Sequence, residues 1–495
     1  MKNSRIQNVA SHVFLAGLLL FFITFPACSN SLKEELSTLI KQKFPHATVG
    51  ILVQDVDTGE TLYQCNTHKL LKPASNTKVL TALAALYLLG PDYRYDTALS
   101  HKDNNFYLTF SGSPSLKTEH INGLFANLSQ EKINTIKGDI VLDISRFKPP
   151  YNAAGITYDD LGWYYEAPST AVILDDNKEV FQFTTPLKSG APVQVKAKNS
   201  EKNALTLIND VVSVTREQEK QHCNFNIDIK PNNTLHLYGC LAQRKHPRTL
   251  QLAIPDPVLY AKQVIKKALQ KNNITLKGKL VVGNTPEESR LVASHQSDEL
   301  TTLLKHMLEE SDNLYADSIT KLLGYKFTGE GTYKQGVFAI KETLSKRTRM
   351  DMTLLRLTDG QGGRYNLISP DQMVILLTDI YRDKQLKPIF LKILPRMGVA
   401  GTLKDRMKNT ILENRVLAKT GTMSDITAIS GYLLTADGKT LVFSIIVNGV
   451  HGNIYAAKAV EDQILLTIAR HYAGSESETE SKQESQTGTR PQEKR

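Results

Sequence analysis

The sequence reads as an α+β protein: one antiparallel sheet with helices packed on it, and one or two β-rich domains inserted into the middle of the chain. Three observations carry that reading. Apolar strand patterns stand near both ends, at 48–67 and 416–448. A wholly apolar run, Val79 to Gly90, reads as a buried helix. Between Lys78 and Ser311 lie about 230 residues of short strand patterns, and a chain of 495 residues is too long for one compact core.

At the N-terminus, Lys2 and Arg5 precede an apolar stretch, Val13 to Phe25, followed by the small residues Ala27-Cys28-Ser29. That is the pattern of an export signal over residues 1–28, too short for a comfortable membrane span. Phe25-Pro-Ala-Cys28 looks like a bacterial lipoprotein box with Phe25 and Pro26 in place of its usual Leu and small residue. Two outcomes stay open: a lipid on Cys28 that attaches the chain to a membrane, or ordinary cleavage nearby. Both put the mature chain outside the cytoplasm, in the periplasm or cell envelope.

Residues 48–67 form a predicted hairpin that turns at Thr58-Gly59. Ser75 follows Lys-Pro-Ala and opens the apolar run, so it sits at the first turn of a helix, where the dipole favours a developing negative charge. Strand patterns then dominate: Asn105 to Phe110, Gly138 to Asp143, Val193 to Lys196, Leu205 to Ile208 and Val211 to Val214. Cys223 and Cys240 flank a second hairpin with Pro231-Asn-Asn at its turn. Lying at equal distances from that turn, they are placed for a cross-strand disulfide. Cys65 is left unpaired, buried in a strand. Removing about 97–288 leaves roughly 250 residues, a sensible single domain made of 31–96 and 289–473. A helix is predicted over Leu314 to Leu323. Strands are predicted over Ile426 to Leu434 and Thr440 to Asn448, and a closing helix over about 454–472. The tail, 474–495, is polar without an apolar face and is expected to be disordered.

Hydrophobic content of 41% and charge of 22% are ordinary for a globular protein. The net charge of +10 suits an anionic polymer or membrane surface, but equally a solvated basic exterior. No stretch interleaves Lys or Arg with aromatics in a nucleic-acid pattern. The twelve histidines include no His-Glu-x-x-His, which argues against a zinc peptidase, and Gly360 to Gly363 lacks the Lys-Ser/Thr of a phosphate loop. That segment reads as a turn near the active site. No metal or organic cofactor is implied.

Three short motifs, in one order, carry chemistry: Ser75-Asn-Thr-Lys78, Ser311-Asp-Asn313 and Lys419-Thr-Gly421-Thr422. Each alone is weak. Ser-x-x-Lys also starts at Ser129, Ser145 and Ser318, and Lys188-Ser-Gly190 mimics the third motif. Order and context select the set: Ser75 opens a buried helix, Ser311 precedes a helix, and Lys419 lies in an extended segment. Ser75 and Lys78, one helical turn apart, can face the same cleft as nucleophile and base. A lysine accepts the serine proton only when neutral, which burial and the nearby Lys419 charge would favour. Asp312 reads as a helix-start residue.

The set is that of serine acyltransferases without a catalytic histidine, and the chain resembles the class C low-molecular-mass penicillin-binding proteins, the D-alanyl-D-alanine carboxypeptidase/endopeptidases of bacterial cell walls. The resemblance runs over about 35–470. It includes Phe110-Ser-Gly-Ser-Pro-Ser-Leu116, Lys137 to Asp143, Gly162-Trp163 with Ala167-Pro168 and Asp176-Asn177, Asp359-Gly-Gln-Gly-Gly-Arg-Tyr-Asn366, and Gly401-Thr-Leu-Lys-Asp-Arg406. Two of these depart from the usual form. Phe110-Ser-Gly-Ser-Pro looks like an altered Gly-Gly-Asp-Pro element, and the Asp359 segment is one residue shorter and lacks its serines.

The resemblance implies a β-lactamase/transpeptidase-like domain with domains inserted between the first and second motifs. It implies an acyl-enzyme on Ser75 formed from peptidoglycan stem peptides and inhibition by β-lactams. Ser311 would relay a proton to the leaving amine, and Asn313 would position the substrate amide. Lys419, Thr420 and Thr422, with Gly421 between them, would bind the terminal carboxylate, and the backbone N–H groups of Ser75 and Thr422 would form the oxyanion hole. The rival readings are a β-lactamase and a non-catalytic wall-binding or penicillin-sensing protein. The first needs a rapid deacylation route, and no Glu-x-x-Leu-Asn stands between Asn313 and Lys419. The second has no need of Ser75, Lys78, Ser311, Asn313 and Lys419 together.

Overall fold

The computed structural model describes residues 31–486. The expected export signal and Cys28 lie outside the described residues. Among those described, no helix is long and apolar enough to cross a membrane.

A five-stranded antiparallel sheet joins the two ends of the chain, in the order 416–423, 426–434, 440–448, 48–55, 61–65. Period-two alternation divides its side chains. Val49, Ile51, Val53, Ile429 and Phe443 face a core shared with the helices Leu32–Lys43 and Ile454–Gln486. Leu52, Ala428, Tyr432, Val442 and Ile446 face the opposite core, with the helices Lys78–Leu89 and Pro370–Arg382. Sequence-near strands pair by hairpins, whereas Thr48–Asp55 pairs with Thr440–Asn448 from the other end of the chain. Burial of the second face against the apolar sides of these two helices supplies that closure.

The Lys78–Leu89 helix is buried from Lys78 to Leu86 and ends at Gly90, whose φ of +82° reverses the chain. It is preceded by a 3₁₀ turn, Ala74–Thr77, which carries Ser75. Asn76 Nδ2 donates to Ser430 Oγ at 2.9 Å, and Ser430 meets Ser444 at 2.9 Å. This buried polar link ties the turn to the middle of the sheet.

The intervening segment is nested. Its outer part forms a mixed five-stranded sheet from 280–282, 140–143, 105–109, 96–102 and 290–296. The returning strand, Arg290–Gln296, pairs with Asp96–Lys102, so the outer sheet reaches past residue 288. Within it, two three-stranded sheets use 178–184, 194–197 and 248–253, and 206–214, 225–230 and 234–242.

Three features differ from expectation. The two short strands expected at 205–208 and 211–214 are one strand, Thr206–Val214, held in register by parallel pairing with Thr234–Ala242. The insertion also contains the helices Thr118–Gln130, Arg216–His222 and Pro257–Lys271. The last begins with a capping Asp256 and Pro257 at its first position, a start signal that the strand count obscured. The closing helix runs on to Gln486, through the first part of the segment expected to be disordered. That stretch is made mostly of Glu and Ser with two Gln, and its Glu and Gln residues propagate a helix without an apolar face. Residues 487–495 lie outside the described residues.

Cys223 and Cys240 are joined, with Cα atoms 5.8 Å apart. They are not in direct register. Phe225 pairs with Gly239, which puts Cys223 just outside the ladder, after the Arg216–His222 helix. Cys65 ends the Thr61–Cys65 strand, only half-buried, and is unpaired.

Candidate active site

The three motifs meet at one cleft. Lys78 is fully buried, and its Nζ donates to Ser75 Oγ at 3.0 Å, Asn313 Oδ1 at 2.7 Å and the main-chain oxygen of Gln361 at 2.7 Å. Lys419, also fully buried, donates to Ser311 Oγ at 2.9 Å and to the Thr420 carbonyl at 2.8 Å. Thr420 Oγ1 bonds to Thr402 Oγ1 at 2.7 Å.

Local backbone geometry makes these approaches possible. Ala74 (φ +47°) and Ser311 (φ +57°) are non-glycine residues in the left-handed region, a cost of roughly 1–3 kcal/mol each that the surrounding packing sustains. Asp312 caps the Asn313–Thr328 helix, accepting from Tyr315 N at 3.0 Å, and lies 3.5 Å from His306, so it is a helix-start residue. A Cβ on Gly421 would stand 2.5 Å from the Pro73 carbonyl and 3.2 Å from Ser75 N. Only glycine lets the Val416–Met423 strand come this close to the Ser75 turn. From the other side, Gly362 (φ +117°) does the same: its Cβ would stand 2.1 Å from the Ala74 carbonyl. Its loop is shaped by Asp359, whose Oδ1 accepts from the backbone N–H of Gln361, Gly362 and Gly363 and from Asn366 Nδ2.

The outer edge of the Val416–Met423 strand is hydrogen-bonded by the 395–397 segment as far as Ala418. Beyond that point Thr420 and Thr422 line the cleft. The backbone of Thr422 therefore lies on the cleft side with Ser75.

Ser75 stands where two pockets meet. One, of ≈ 190 Å³, is lined by Ser311, Thr402, Thr420 and Thr422 with the cations Arg406 and Lys458. The other, of ≈ 240 Å³, is lined by Asn313, Gln361–Arg364 and Thr422–Ser424 and by Gly155, Ile156, Asp160, Tyr165 and Glu166 from the insertion. Asn313 Nδ2 donates to the Tyr165 carbonyl at 2.9 Å, which fixes the insertion against the second motif.

Burial pushes Lys78 down to about 8, against the opposing pull of Asp317, Asp312, Asp359 and Glu166. The expected depression of Lys78 by Lys419 falls instead on Lys419, held well below the usual lysine range first by burial, then by the charges of Lys78 and Lys458. The carboxylates gathered around Lys78 explain the asymmetry.

Gln361, Tyr165, Glu166, Thr402, Arg406 and Lys458 were not among the expected site residues. All but Lys458 stand within or beside the quoted family segments, but nothing in their spacing assigns a role. The competing Ser318-Lys321 pair is structural. Lys321 is buried and holds the carbonyls of Lys148, Pro150 and Ser169, while Ser318 bonds the Gly112 carbonyl. Among the described residues no group of His, Cys, Asp and Glu could hold a metal ion.

Comparison with known proteins agrees with this arrangement. Residues 32–471 match the model of the D-Ala-D-Ala carboxypeptidase 3 (S13) family. The chain is 28% identical over 460 residues to D-alanyl-D-alanine carboxypeptidase DacB of Haemophilus influenzae, covering 90% of this chain and 94% of that one. It is 30% identical over 470 residues to the D-alanyl-D-alanine carboxypeptidase of Actinomadura sp. strain R39, covering 90% and 85%. The crystal structure of penicillin binding protein 4 from Haemophilus influenzae superposes with a TM-score of 0.81 at 26% identity, over 88% of this chain and 98% of that one. A second structure of that protein, in complex with a β-lactam, gives 0.76 at 25% identity. The match spans all three motifs and the nested insertion, and the chain belongs to the D-Ala-D-Ala carboxypeptidase 3 (S13) family.

Proposed function

We propose that this serine-type D-Ala-D-Ala carboxypeptidase works through Ser75 as nucleophile and Lys78 as its base. The observation that carries the assignment is the Lys78 amine, buried, 3.0 Å from Ser75 Oγ and depressed to about 8. At neutral pH an appreciable fraction is unprotonated and able to take the serine proton. The smaller pocket suits the leaving D-alanine: its terminal carboxylate meets the hydroxyls of Thr420 and Thr422 beside Lys419, Lys458 and Arg406, the last already paired with Asp462 and Glu461. A bound carboxylate would raise Lys419 again, so substrate brings its own counter-charge into the site. Ser311, bonded to Lys419, lies on the leaving-group side and suits delivery of a proton to the departing amine. Asn313 accepts from Lys78 with Oδ1, donates to the Tyr165 carbonyl with Nδ2 and lines the pocket beside Ser75, which suits a contact with the substrate amide. The N–H groups of Ser75 and Thr422 form the oxyanion hole, each donor worth about 3 kcal/mol in the transition state.

The acyl half of the substrate lies in the second pocket, and the natural substrate is the D-Ala-D-Ala end of peptidoglycan stem peptides. The N-terminal segment fits this, because an exported enzyme reaches the wall. Attachment through Cys28 belongs to the same reading. β-Lactams acylate Ser75 in place of the peptide.

The test is a mass spectrum of the mature protein with and without benzylpenicillin, alongside D-alanine release from a pentapeptide. Wild type gains one penicillin mass and releases D-alanine. Ser75→Ala does neither and loses at least about 10⁴-fold in turnover. A penicillin adduct retained by Ser75→Ala would place the nucleophile elsewhere.

A further inference from the structure

The hydrolytic half of the reaction needs a base for water, and the one carboxylate in the three motifs, Asp312, is taken up as a helix cap beside His306. The cleft supplies another. Glu166 lines the same pocket as Ser75, and its position is built from both sides. Its own carbonyl accepts from Asn152 Nδ2 at 3.0 Å, and the preceding carbonyl, of Tyr165, accepts from Asn313 Nδ2. Lys321 holds the rest of this segment through three carbonyls.

The Glu166 carboxyl has no ion-pair partner among the described residues. Its hydrogen-bond partner is Gln361 Nε2 at 3.4 Å, and the main-chain oxygen of that same Gln361 receives Lys78 Nζ. Gln361 is 3% exposed, and its Oε1 has no partner among the described residues. A turn of this amide would let Oε1 accept from a protonated Glu166, so the pair accommodates the carboxyl with and without its proton. The charged groups around Glu166 are Asp160 on its own segment, Asp359 and Arg364 on the 359–364 loop, Lys78 on the first-motif helix and Asp317 on the Asn313–Thr328 helix. Arg364 is engaged by Asp160 at 3.0 Å, which leaves Glu166 to the cleft.

We propose that Glu166 is the general base of deacylation: its carboxylate takes a proton from the water that attacks the acyl group carried by Ser75. This rests on the reading of Ser75 as the nucleophile. The water oxygen forms a bond to the acyl carbon as its proton passes to Glu166. The resulting tetrahedral centre collapses, breaking the bond to Ser75 Oγ. Oγ recovers the proton from Glu166 by way of Lys78 Nζ, 3.0 Å away, and the acyl group leaves as the free acid. Enzyme, Glu166 and Lys78 return to their starting protonation. Burial and the neighbouring Asp160 and Asp359 lift Glu166 to about 7, the range in which a carboxylate is both available and basic enough to act.

The experiment measures acylation and deacylation separately, by quenched-flow mass spectrometry, with benzylpenicillin and with a D-alanyl thioester peptide as probes. The proteins are wild type, Glu166→Gln and Glu166→Asp. Expected for Glu166→Gln is an acylation rate within about 3-fold of wild type and a deacylation rate lower by about 10²–10⁴, so that acyl-enzyme accumulates. Wild-type deacylation rises with pH through about 7. Glu166→Gln loses that rise, whereas Glu166→Asp keeps it at a reduced rate. A parallel fall of both steps in Glu166→Gln would overturn the proposal, because it would mark a positioning role. Unchanged deacylation in Glu166→Gln overturns it too. So does wild-type deacylation that is flat between about pH 6 and 8, a measurement that needs no variant. Absence of any acyl-enzyme on wild type would instead sink the Ser75 assignment itself.

Discussion

Lys78 is where sequence, burial and chemistry converge on a single side chain. It opens a largely apolar helix and is fully buried, so its ammonium is cut off from water and its pKa falls to about 8 despite four nearby carboxylates. With Lys78 as the proposed base, the neutral amine is the active form, so acylation by benzylpenicillin is expected to rise as pH increases through about 8 and to level above it. Lys78→Arg keeps the positive charge at all accessible pH values. It is expected to lose that limb and about 10²–10⁴ in acylation rate. Stopped-flow acylation from about pH 6 to 10 checks this, and a limb that survives in the variant would assign the titration to another group. The surrounding acids restrain the shift. Asp317 is itself buried and pushed well above the usual carboxylate range, first by burial and then by the charges of Asp359 and Glu166.

At the scale of elements, the site is three pieces of backbone pressed together with no room for side chains. The Ser75 turn is held between the Val416–Met423 strand at Gly421 and the 359–366 loop at Gly362. Gly362→Ala meets both objections to a side chain, a φ of +117° and a carbonyl at 2.1 Å, and is expected to cost about 1–3 kcal/mol and to slow acylation more than 10-fold. Thermal unfolding and penicillin acylation measured together would check it, and an unchanged acylation rate would mean that the turn does not depend on the loop. The sequence showed a glycine-rich turn here, but not what it presses against. Neighbours 280 residues apart leave no local signature, because a glycine chosen for close approach looks the same as one chosen for a turn.

Across the whole molecule, the insertion is part of the active site. One continuous core runs from Leu83 in the first-motif helix through Leu108 and Leu142 in the outer inserted sheet to Leu252 in the nested one. It holds residues 155–166 as the wall of the acyl pocket. The Cys223–Cys240 bridge is remote from that wall and closes a loop of 17 residues. Replacing both cysteines by Ser is expected to lower stability by about 3 kcal/mol, the loop-closure value, and to leave penicillin acylation unchanged. Calorimetry with a parallel acylation assay tests both halves, and a fall in acylation would show that the nested sheets brace the cleft.

Most of this architecture was legible before any coordinates. A hairpin pattern and two apolar runs marked four of the five strands of the central sheet, and a longer apolar run marked the Lys78–Leu89 helix, because burial imposes apolar residues on any chain. The five polar residues of the three motifs were legible through order and context. The nesting of the insertion was not, since strands such as Asp96–Lys102 and Arg290–Gln296 choose partners by tertiary packing rather than by local pattern. Nor was the place of Glu166, Gln361, Arg406 and Lys458 around Ser75. The sequence by itself determined the fold class, the order of the three motifs from which the roles of Ser75 and Lys78 are proposed, and the existence of a long insertion. Only the tertiary structure decided which charges surround Lys78 and which side chains wall the cleft, because electrostatic and close-packing interactions depend on distance in space, on which sequence separation has no bearing.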